Sequence, residues 1–441
     1  MDKPLSQVEL IREAFYYQSR FHSSTVVFKI DSPVTEHPLF PSMVKDLALL
    51  SSVGFRIVIV PGSKEWIDAV LGEYSITSSY KGAIRITTAA SMPFVQMAAF
   101  AGASKYMTGF SSSRTEAVIG NFVRARGLGV IEGTDMGHSG TVDRIYTESL
   151  NRVLELGMIP IVPCIGWNTS GKPYNVLSDE IALSAAASLG AMKLFIISLS
   201  SGVHNAAHTI PEGIETSSSG RIIRLTQQEA AAVLEANANI SENDKALGEL
   251  ALALSASRSG VERVHIIDGG EEGAILKELF SNMGAGTMLY ADEYESIRGI
   301  KSREIPDLLR LMEPLMQQEV LVRRRAEDIQ NKKDDYSVFV IDGQIRACGA
   351  LHDWGEGQGE IAAIATDPFY AQMGMGRRLV RYLIEKAKKQ GFKRVFALTT
   401  KSQDWFESLS FREISPGTLP EKKRAVYDHS RKSKVFALDL L

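Results

Sequence analysis

From Ser24 to about Tyr290 the chain alternates short β-branched, apolar runs with stretches of helical period, and this alternation constrains the fold more than any other feature. The apolar runs are "TVVFKI" (Thr25–Ile30), "FRIVIV" (Phe55–Val60), "MIPIVPCI" (Met158–Ile165), "KLFIISL" (Lys193–Leu199) and "RVHIID" (Arg263–Asp268). Between them lie "MVKDLALLSSVG" (Met43–Gly54), "KEWIDAVLGEY" (Lys64–Tyr74) and the Ala-rich "SDEIALSAAASLGA" (Ser178–Ala191), for which Ser178 or Asp179 is the expected N-cap. Unbroken apolar strands alternating with helices imply a parallel sheet covered on both faces, a three-layer α/β domain.

The pattern changes after "ADEYESIRGIKSRE" (Ala291–Glu304), a charged stretch without apolar period that reads as a junction. Beyond it come a helix, "EIPDLLRLMEPLMQQ" (Glu304–Gln317), and three strands, "SVFVID" (Ser337–Asp342), "IRACGALH" (Ile345–His352) and "EIAAIAT" (Glu360–Thr366). Asp342-Gly343 is a hairpin signal, so a smaller α+β unit with antiparallel strands is expected. With 441 residues, the chain divides into an amino-terminal helix over 1–20, an α/β domain over 21–292 and the smaller domain over 296–441. In the first segment Val8, Ile11, Phe15 and Tyr16 share a helical face, which packs on its own domain or on a neighbouring subunit.

Several function classes are disfavoured. A net charge of −3 does not suit a nucleic-acid partner. The longest apolar runs are too short to span a bilayer, and "MDKPLSQVELIREAFYYQSRF" is no signal peptide. Two cysteines, Cys164 and Cys348, without a CxxC pair, suit a reducing compartment; no histidine cluster suggests a metal. A cytoplasmic location is expected.

Near the end of the chain, "AQMGMGRRLVRYLIEKAKKQG" (Ala371–Gly391) follows the strand ending in "ATDPFY". Gln372, Gly374 and Gly376 form a glutamine-led glycine turn, and Leu379, Tyr382, Leu383 and Lys386 recur at helical spacing behind it. A strand, a glycine turn and a helix N-terminus make an anion cradle: the first-turn N–H groups lack partners, and glycine lets the backbone approach a phosphate. It is neither a Walker loop nor a Rossmann fingerprint.

"EIAAIATDPFYAQMGMGRRLVRYLIEKAKKQG" resembles motif A of the GNAT acyltransferases, whose Q/R-x-x-G-x-G/A turn binds the pyrophosphate of acetyl-CoA beside a bulged, splayed strand. That resemblance places Ile364 and Thr366 along the pantetheine arm and Gln372, Met373, Gly374, Met375, Gly376 and Arg377 around the pyrophosphate. The blocks "EEGAILKELFSNMGAGTM", "IRGIKSREIPDLLRLMEPLMQQEVLVRR", "LTTKSQDWFESLSFREI" and "LPEKKRAVYDHSRKSKVF" extend it over the whole chain, to the bacterial N-acetylglutamate synthases. In that family an amino-acid-kinase-like domain precedes a GNAT domain.

Kinase chemistry is not expected. In "FKIDSPV" Lys29 is kept, but Ile30 and Asp31 stand where active kinases carry paired glycines. "VPGSKEW" (Val60–Trp66) lacks a glycine run, and Leu199 replaces an aspartate. A carboxylate in a phosphate loop is electrostatically wrong. "KELFSNMGAGTM" (Lys277–Met288) resembles the signature of arginine-sensitive relatives, which implies that Glu278, Phe280, Gly284 and Gly286 contact an L-arginine effector.

For acetyl transfer to L-glutamate the resemblance makes Glu360 the base, directly or through water, and places Ser433 near the leaving sulfur. Arg324 and Arg431 match carboxylate clamps, with Arg323 and Arg325 as alternatives to the former, and Leu398 and Thr399 match a stretch that meets the amino acid. Buried structural roles are expected for Cys348 and His352. Two other readings remain, a GNAT enzyme for another small amine and a non-catalytic arginine sensor. Relatives form rings, so a homo-oligomer, with a hexamer as the family-based expectation, is implied.

Overall fold

Strand β1 (Thr25–Ile30) is buried at all six positions, and its side chains alternate between two separate cores. Val27 joins Val58, Val60, Leu194 and Ile196 on one face; Val26, Phe28 and Ile30 join Ile57, Ile59, Phe195 and Ile197 on the other. That double burial is why these runs carry no polar alternation. The computed structural model describes residues 23–214, 216–240, 244–280, 285–290, 295–341, 344–368 and 374–440, in two units, Met1–Asp292 and Glu293–Leu441. The expected helix over 1–20, the Asp342-Gly343 turn, Gly284, Gln372 and Met373 lie outside the described residues, as does the Phe280 side chain.

The first unit is built on an eight-stranded sheet. Its strands are β1, β2 (Arg56–Pro61), β3 (Ala117–Ile119), β4 (Ile159–Ile161), β5 (Lys193–Ser198), β6 (Arg224–Thr226), β7 (Arg263–Asp268) and β8 (Thr287–Tyr290), in the order β6-β8-β7-β5-β1-β2-β4-β3. The neighbours from β7 to β3 are parallel, and β8 runs antiparallel to β7. Helices α1 (Phe40–Ser52), α2 (Ser178–Ser188) and α3 (Ala274–Phe280) are among its cover.

Two expectations need correction. "MIPIVPCI" is not one strand: β4 ends at Ile161, and Ile165–Trp167 leaves the main sheet for a closed four-strand barrel with Val123–Gly127, Ser139–Ile145 and Pro173–Val176. Pro163 has no N–H to continue the ladder. Helix α2 is entered through Leu177, without a side-chain cap. Asp179, the expected cap, instead pairs with Lys29.

The second unit holds a seven-stranded sheet, β9 (Glu295–Gly299), β10 (Tyr336–Ile341), β11 (Gln344–Asp353), β12 (Gln358–Thr366), β13 (Arg394–Thr399), β14 (Arg412–Ile414) and β15 (Lys434–Asp439), in the order β9-β10-β11-β12-β13-β15-β14. The charged stretch read as a junction therefore contains β9, which pairs antiparallel with β10 at the sheet edge. As an edge strand it needs no continuous apolar face, which is why its sequence gave no period.

Helices α4 (Ile305–Gln317) and α5 (Met375–Lys389) cover this sheet. The buried stripe of α5 is Met375, Leu379, Val380, Leu383 and Ala387, whereas Tyr382 is 36% exposed. The expected stripe is thus rotated toward solvent at Tyr382 and Lys386, whose long side chains carry apolar stems outside the core.

Two irregularities shape this sheet. Between Cys348↔Ala365 and Ala350↔Ala362, two steps on β11 face three on β12. The extra residue bulges at Ala363, which is buried and takes φ 54°. Cys348 Sγ lies 3.4 Å from the Ala363 carbonyl oxygen and donates to it. In addition β12 and β13 pair only where Gln358–Glu360 meets Arg394–Phe396, although they run on to Thr366 and Thr399. Past Glu360 the two parallel strands part.

Ala363→Gly should leave the denaturation midpoint at or above that of the parent, because glycine adopts the left-handed conformation freely. Ala363→Val should cost roughly 1–3 kcal/mol in a urea titration, since a β-branched residue is strained there. Equal midpoints for the two variants would contradict the bulge.

Candidate active site

Glu360 sits at the last paired position before β12 and β13 separate. It is 7% exposed. Trp354 Nε1 donates to its Oε2 at 2.7 Å, and Lys423 Nζ lies 2.7 Å from both carboxylate oxygens. The Lys423 ammonium also stands 4.6 Å from the centroid of the Trp354 ring. Lys423 belongs to a short helix, Glu421–Arg424, whose first N–H is accepted by Glu356 Oε1 at 2.9 Å.

On one side of the parting lies the glycine turn. Gly374 takes φ 67° as the residue before α5, and the side chain of Met375 is buried in the core, so only its backbone faces the turn. A Cβ built on Gly376 would stand 3.3 Å from Trp405 and 3.4 Å from Thr366 Oγ1, which puts the helix start directly against the end of β12. Ile364 and Thr366 are half-buried and alternate with the buried Ala363 and Ala365, so they face the opposite side from those core residues. Arg377 is exposed, and its guanidinium donates to Ser408 Oγ at 3.1 Å. The GNAT spacing counted back from Gly374 begins at Ala371, so Gln372 stands one position late.

The arginines meet at one loop. Arg431 donates to the carbonyls of Glu319 at 2.8 Å and Val320 at 3.4 Å, and Arg324 donates to the Val322 carbonyl at 2.8 Å. Arg324 is half-buried and bonds the Tyr336 side chain, while Arg323 and Arg325 are exposed. Tyr336 packs edge-on against His352, at 5.8 Å between centroids, and His352 stands across the strands from Glu360. The half-buried His352 donates to Asp335 at 2.6 Å, and Cys348 is fully buried with its thiol pushed up to about 12 by burial. Ser433 is half-buried just before β15, and its carbonyl accepts from Tyr427. Leu398 and Thr399 pair with Val435 and Lys434; the Thr399 hydroxyl accepts from the Ser402 N–H at 2.9 Å.

In the first unit, Lys29 bonds Asp31 at 2.6 Å and Asp179 at 2.8 Å, all near the C-terminal ends of β1 and β5. Asp31 is also held by Lys245. Burial works against charge on Lys29, but the two carboxylates outweigh it and drive its pKa upward; Lys29 and Lys245 likewise outweigh burial and hold Asp31 below its ordinary value. The lysine that would grip a phosphate is thus neutralised by the chain itself, with Leu199 45% exposed beside it. An open cavity of ≈ 720 Å³ lies alongside, lined in part by Asp31, Leu199, His204, His208 and Lys245.

Glu278, on α3, is also satisfied internally. It is 8% exposed and accepts from His265 Nδ1 at 2.7 Å and from the N–H groups of Ala285 at 2.6 Å and Gly286 at 3.1 Å. Burial alone would raise its pKa, but the His265 and Ala285 bonds prevail and hold it at about 2; burial lowers His265 to about 4, so a neutral imidazole donates to an ionised carboxylate. A Cβ on Gly286 would lie 2.1 Å from the Ile266 carbonyl oxygen, so the loop is seated tightly on β7. These three donors leave about one of the four acceptor sites of the Glu278 carboxylate, on Oε1, for a further partner.

Among the described residues no group of three or more His, Cys, Asp or Glu is placed to hold a metal, and no helix is long and apolar enough to cross a membrane.

The amino acid kinase family model matches residues 24–268, and the acetyltransferase (GNAT) family model matches residues 304–411. The amino-acid acetyltransferases of Escherichia coli K12 and Shigella flexneri are each 34% identical to this chain over 444 residues, spanning 98% of it and of each relative. The chain belongs to the two-domain N-acetylglutamate synthase family. It is an enzyme, an amino-acid acetyltransferase of the acyltransferase class. A crystal structure of the family member from Neisseria gonorrhoeae, complexed with coenzyme A and L-arginine, has a TM-score of 0.85 to this chain at 31% identity, covering 99% of it and 100% of the relative. Another crystal structure of that enzyme, with coenzyme A and N-acetyl-glutamate, gives 0.62 at 32% identity.

Sequence reasoning missed Lys423 and Trp354. Lys423 stands among five Lys and Arg residues in "LPEKKRAVYDHSRKS", and nothing in that run singles it out. Trp354 precedes a glycine-rich turn that folds its indole back onto Glu360.

Glu278→Gln should destabilise the full-length protein by roughly 2–3 kcal/mol at pH 7, because it uncharges a buried acceptor of three donors. A group whose folded pKa is depressed stabilises fully above its unfolded value. The gap between variant and parent urea midpoints should therefore be complete above pH 4.5 and shrink as the pH falls toward 2. A gap independent of pH would mean that the carboxylate's charge does not matter.

Proposed function

We propose that the enzyme transfers the acetyl group of acetyl-CoA to the amino group of L-glutamate, and that L-arginine bound to the kinase-like unit inhibits it. The carrying observation is the parting of β12 and β13 just past Glu360, with the Gly374–Gly376 helix start beside Thr366. The unpaired strand edge offers main-chain N–H and C=O groups to a pantetheine arm. The first-turn N–H groups of Met375, Gly376 and Arg377 offer an anion site for the pyrophosphate, favoured by the helix dipole. The coenzyme A present in the Neisseria enzyme supports this assignment.

The ionised Glu360 takes a proton from the substrate ammonium, directly or through a water. The freed nitrogen lone pair attacks the thioester carbonyl, the C–N bond forms, and the C–S bond then breaks. The nitrogen then gives its second proton to the departing thiolate, relayed by the Ser433 hydroxyl at the start of β15, which leaves the neutral amide and the free thiol of coenzyme A. Arg324 and Arg431, brought to the 319–324 loop, bind the two carboxylates of glutamate, and Leu398 and Thr399 border the same pocket. The N-acetyl-glutamate bound by the Neisseria enzyme supports this choice of acceptor over another small amine. The arginine bound by the same enzyme supports an effector role for Glu278, Phe280, Gly284 and Gly286. A cytoplasmic homo-oligomer, a hexamer by family resemblance, completes the reading.

Purified protein mixed with acetyl-CoA should release free thiol only when L-glutamate is present, and less of it when L-arginine is added. Thiol release with other amines alone, or none with any, would overturn the assignment. Gly376→Val should raise the KM for acetyl-CoA roughly tenfold or more, about 1.4 kcal/mol per decade, because the added methyl groups enter the cradle. Arg431→Ala should raise the KM for glutamate by a similar factor and spare acetyl-CoA affinity. The opposite pattern would assign the arginine to the nucleotide.

A further inference from the structure

Glu360 carries a counterion of its own, and the mechanism above gives that counterion no task. A general base for an ammonium must be ionised when the substrate arrives. Taking a lone carboxylate out of water is costly unless an opposite charge stands beside it. Here the strand side of Glu360 is lined by Phe396 of β13, its register partner, and by the indole of Trp354. The Lys423 ammonium, 2.7 Å from both oxygens and itself largely shielded, supplies the opposing charge.

The other charged groups nearby are already matched. His352, across from Glu360 on β11, is bonded to Asp335 at 2.6 Å. Glu356 accepts the Glu421 N–H at 2.9 Å, and Arg424 donates to the Gly417 carbonyl at 3.2 Å. Arg394, at the start of β13, is paired with Asp439 at 2.6 Å. Lys422 is exposed. Lys423 is thus the cation that directly balances Glu360 among the described residues.

We propose that Lys423 is a positioning residue for the transfer: it supplies the charge opposite the Glu360 carboxylate and, with Trp354, aims that carboxylate into the gap between β12 and β13. This rests on the assignment of Glu360 as the base. The Trp354 N–H takes one lone pair and the Lys423 ammonium bridges the two oxygens, so a carboxylate with about four acceptor sites keeps one free for the incoming amine. Once the amine proton sits on Glu360, the adjacent ammonium favours its onward loss, which resets the base for the next turnover.

The test is the pH profile of kcat/KM for glutamate in the full-length enzyme, with Lys423→Met, Lys423→Arg and Glu360→Gln beside the parent. Lys423→Met should move the acid limb upward by about one pH unit or more and recover to within a few-fold of the parent at high pH. Lys423→Arg should restore the parent limb. Acetyl-CoA affinity, measured by calorimetry on the same preparations, should not change and reports that Lys423→Met is folded. An unshifted acid limb in Lys423→Met would overturn the proposal, leaving the lysine a structural tie. A variant that is faster at every pH, with a lower KM for glutamate, would also overturn it, because the ammonium would then be a plug in the substrate's place. Glu360→Gln should lose at least a hundredfold in kcat at all pH values. Retained activity in that variant would sink the base assignment instead, so the two failures are distinguishable.

Discussion

The bulge at Ala363 is the constraint on which the acetyltransferase unit depends. One extra residue on β12, held in a left-handed conformation against Cys348 Sγ, re-aims the strand so that it stops pairing with β13 past Glu360. In an unbroken sheet the main-chain groups of Ile361–Thr366 would all be spent on the ladder, and the two strands would leave no room between them. The break frees the groups on the β13 side, while β12 stays paired with β11; it also places the carboxylate at the apex of the opening and lets α5 begin beside Thr366. The catalytic geometry is thus a property of backbone register, with side chains added at its edges.

The two units treat buried charge in different ways. In the kinase-like unit the cluster Lys29, Asp31, Asp179 and Lys245 is closed on itself, each cation facing a carboxylate of the same chain. Nothing in that arrangement waits for a ligand's charge. In the second unit Glu360 is also paired, but it stands at an opening with acceptor capacity left over. The arginines there are bound to main-chain carbonyls, which hold them in place without cancelling their charge. A paired carboxylate beside guanidiniums that keep their charge fits the proposed acceptor, an amino acid with two carboxylates.

Much of the fold was legible because double burial leaves an unmistakable trace: β1 and β7 begin and end where their apolar runs do. The strand β9 and the four-strand barrel were not, for opposite reasons. An edge strand needs no apolar face, and the barrel's strands are only three to seven residues long with mixed burial, too brief to show a period. The helix start after Gly374 was readable from spacing, although Gln372 stands one position off the motif, while the surroundings of Glu278 were not. That residue sits in a stretch that resembles the signature of arginine-sensitive relatives, yet its oxygens serve His265 and two loop amides, contacts that come together only when α3, β7 and β8 pack. Lys423 was invisible for the same reason: it is distant in sequence from Glu360, and proximity across a fold has no local pattern.

The closed charge cluster also decides which ligands are kept out: the Asp31 carboxylate stands between two cations, Lys29 and Lys245. With Asp31 in place they are answered permanently, and Lys29 is 5% exposed at the side chain. Restoring glycine there alone would leave Lys29 with Asp179 only, whereas the half-exposed Lys245 would keep solvent and Glu249 at 4.0 Å. As it stands, an anion entering there would meet the Asp31 carboxylate first, so the contacts that hold the cluster together also keep a phosphate out.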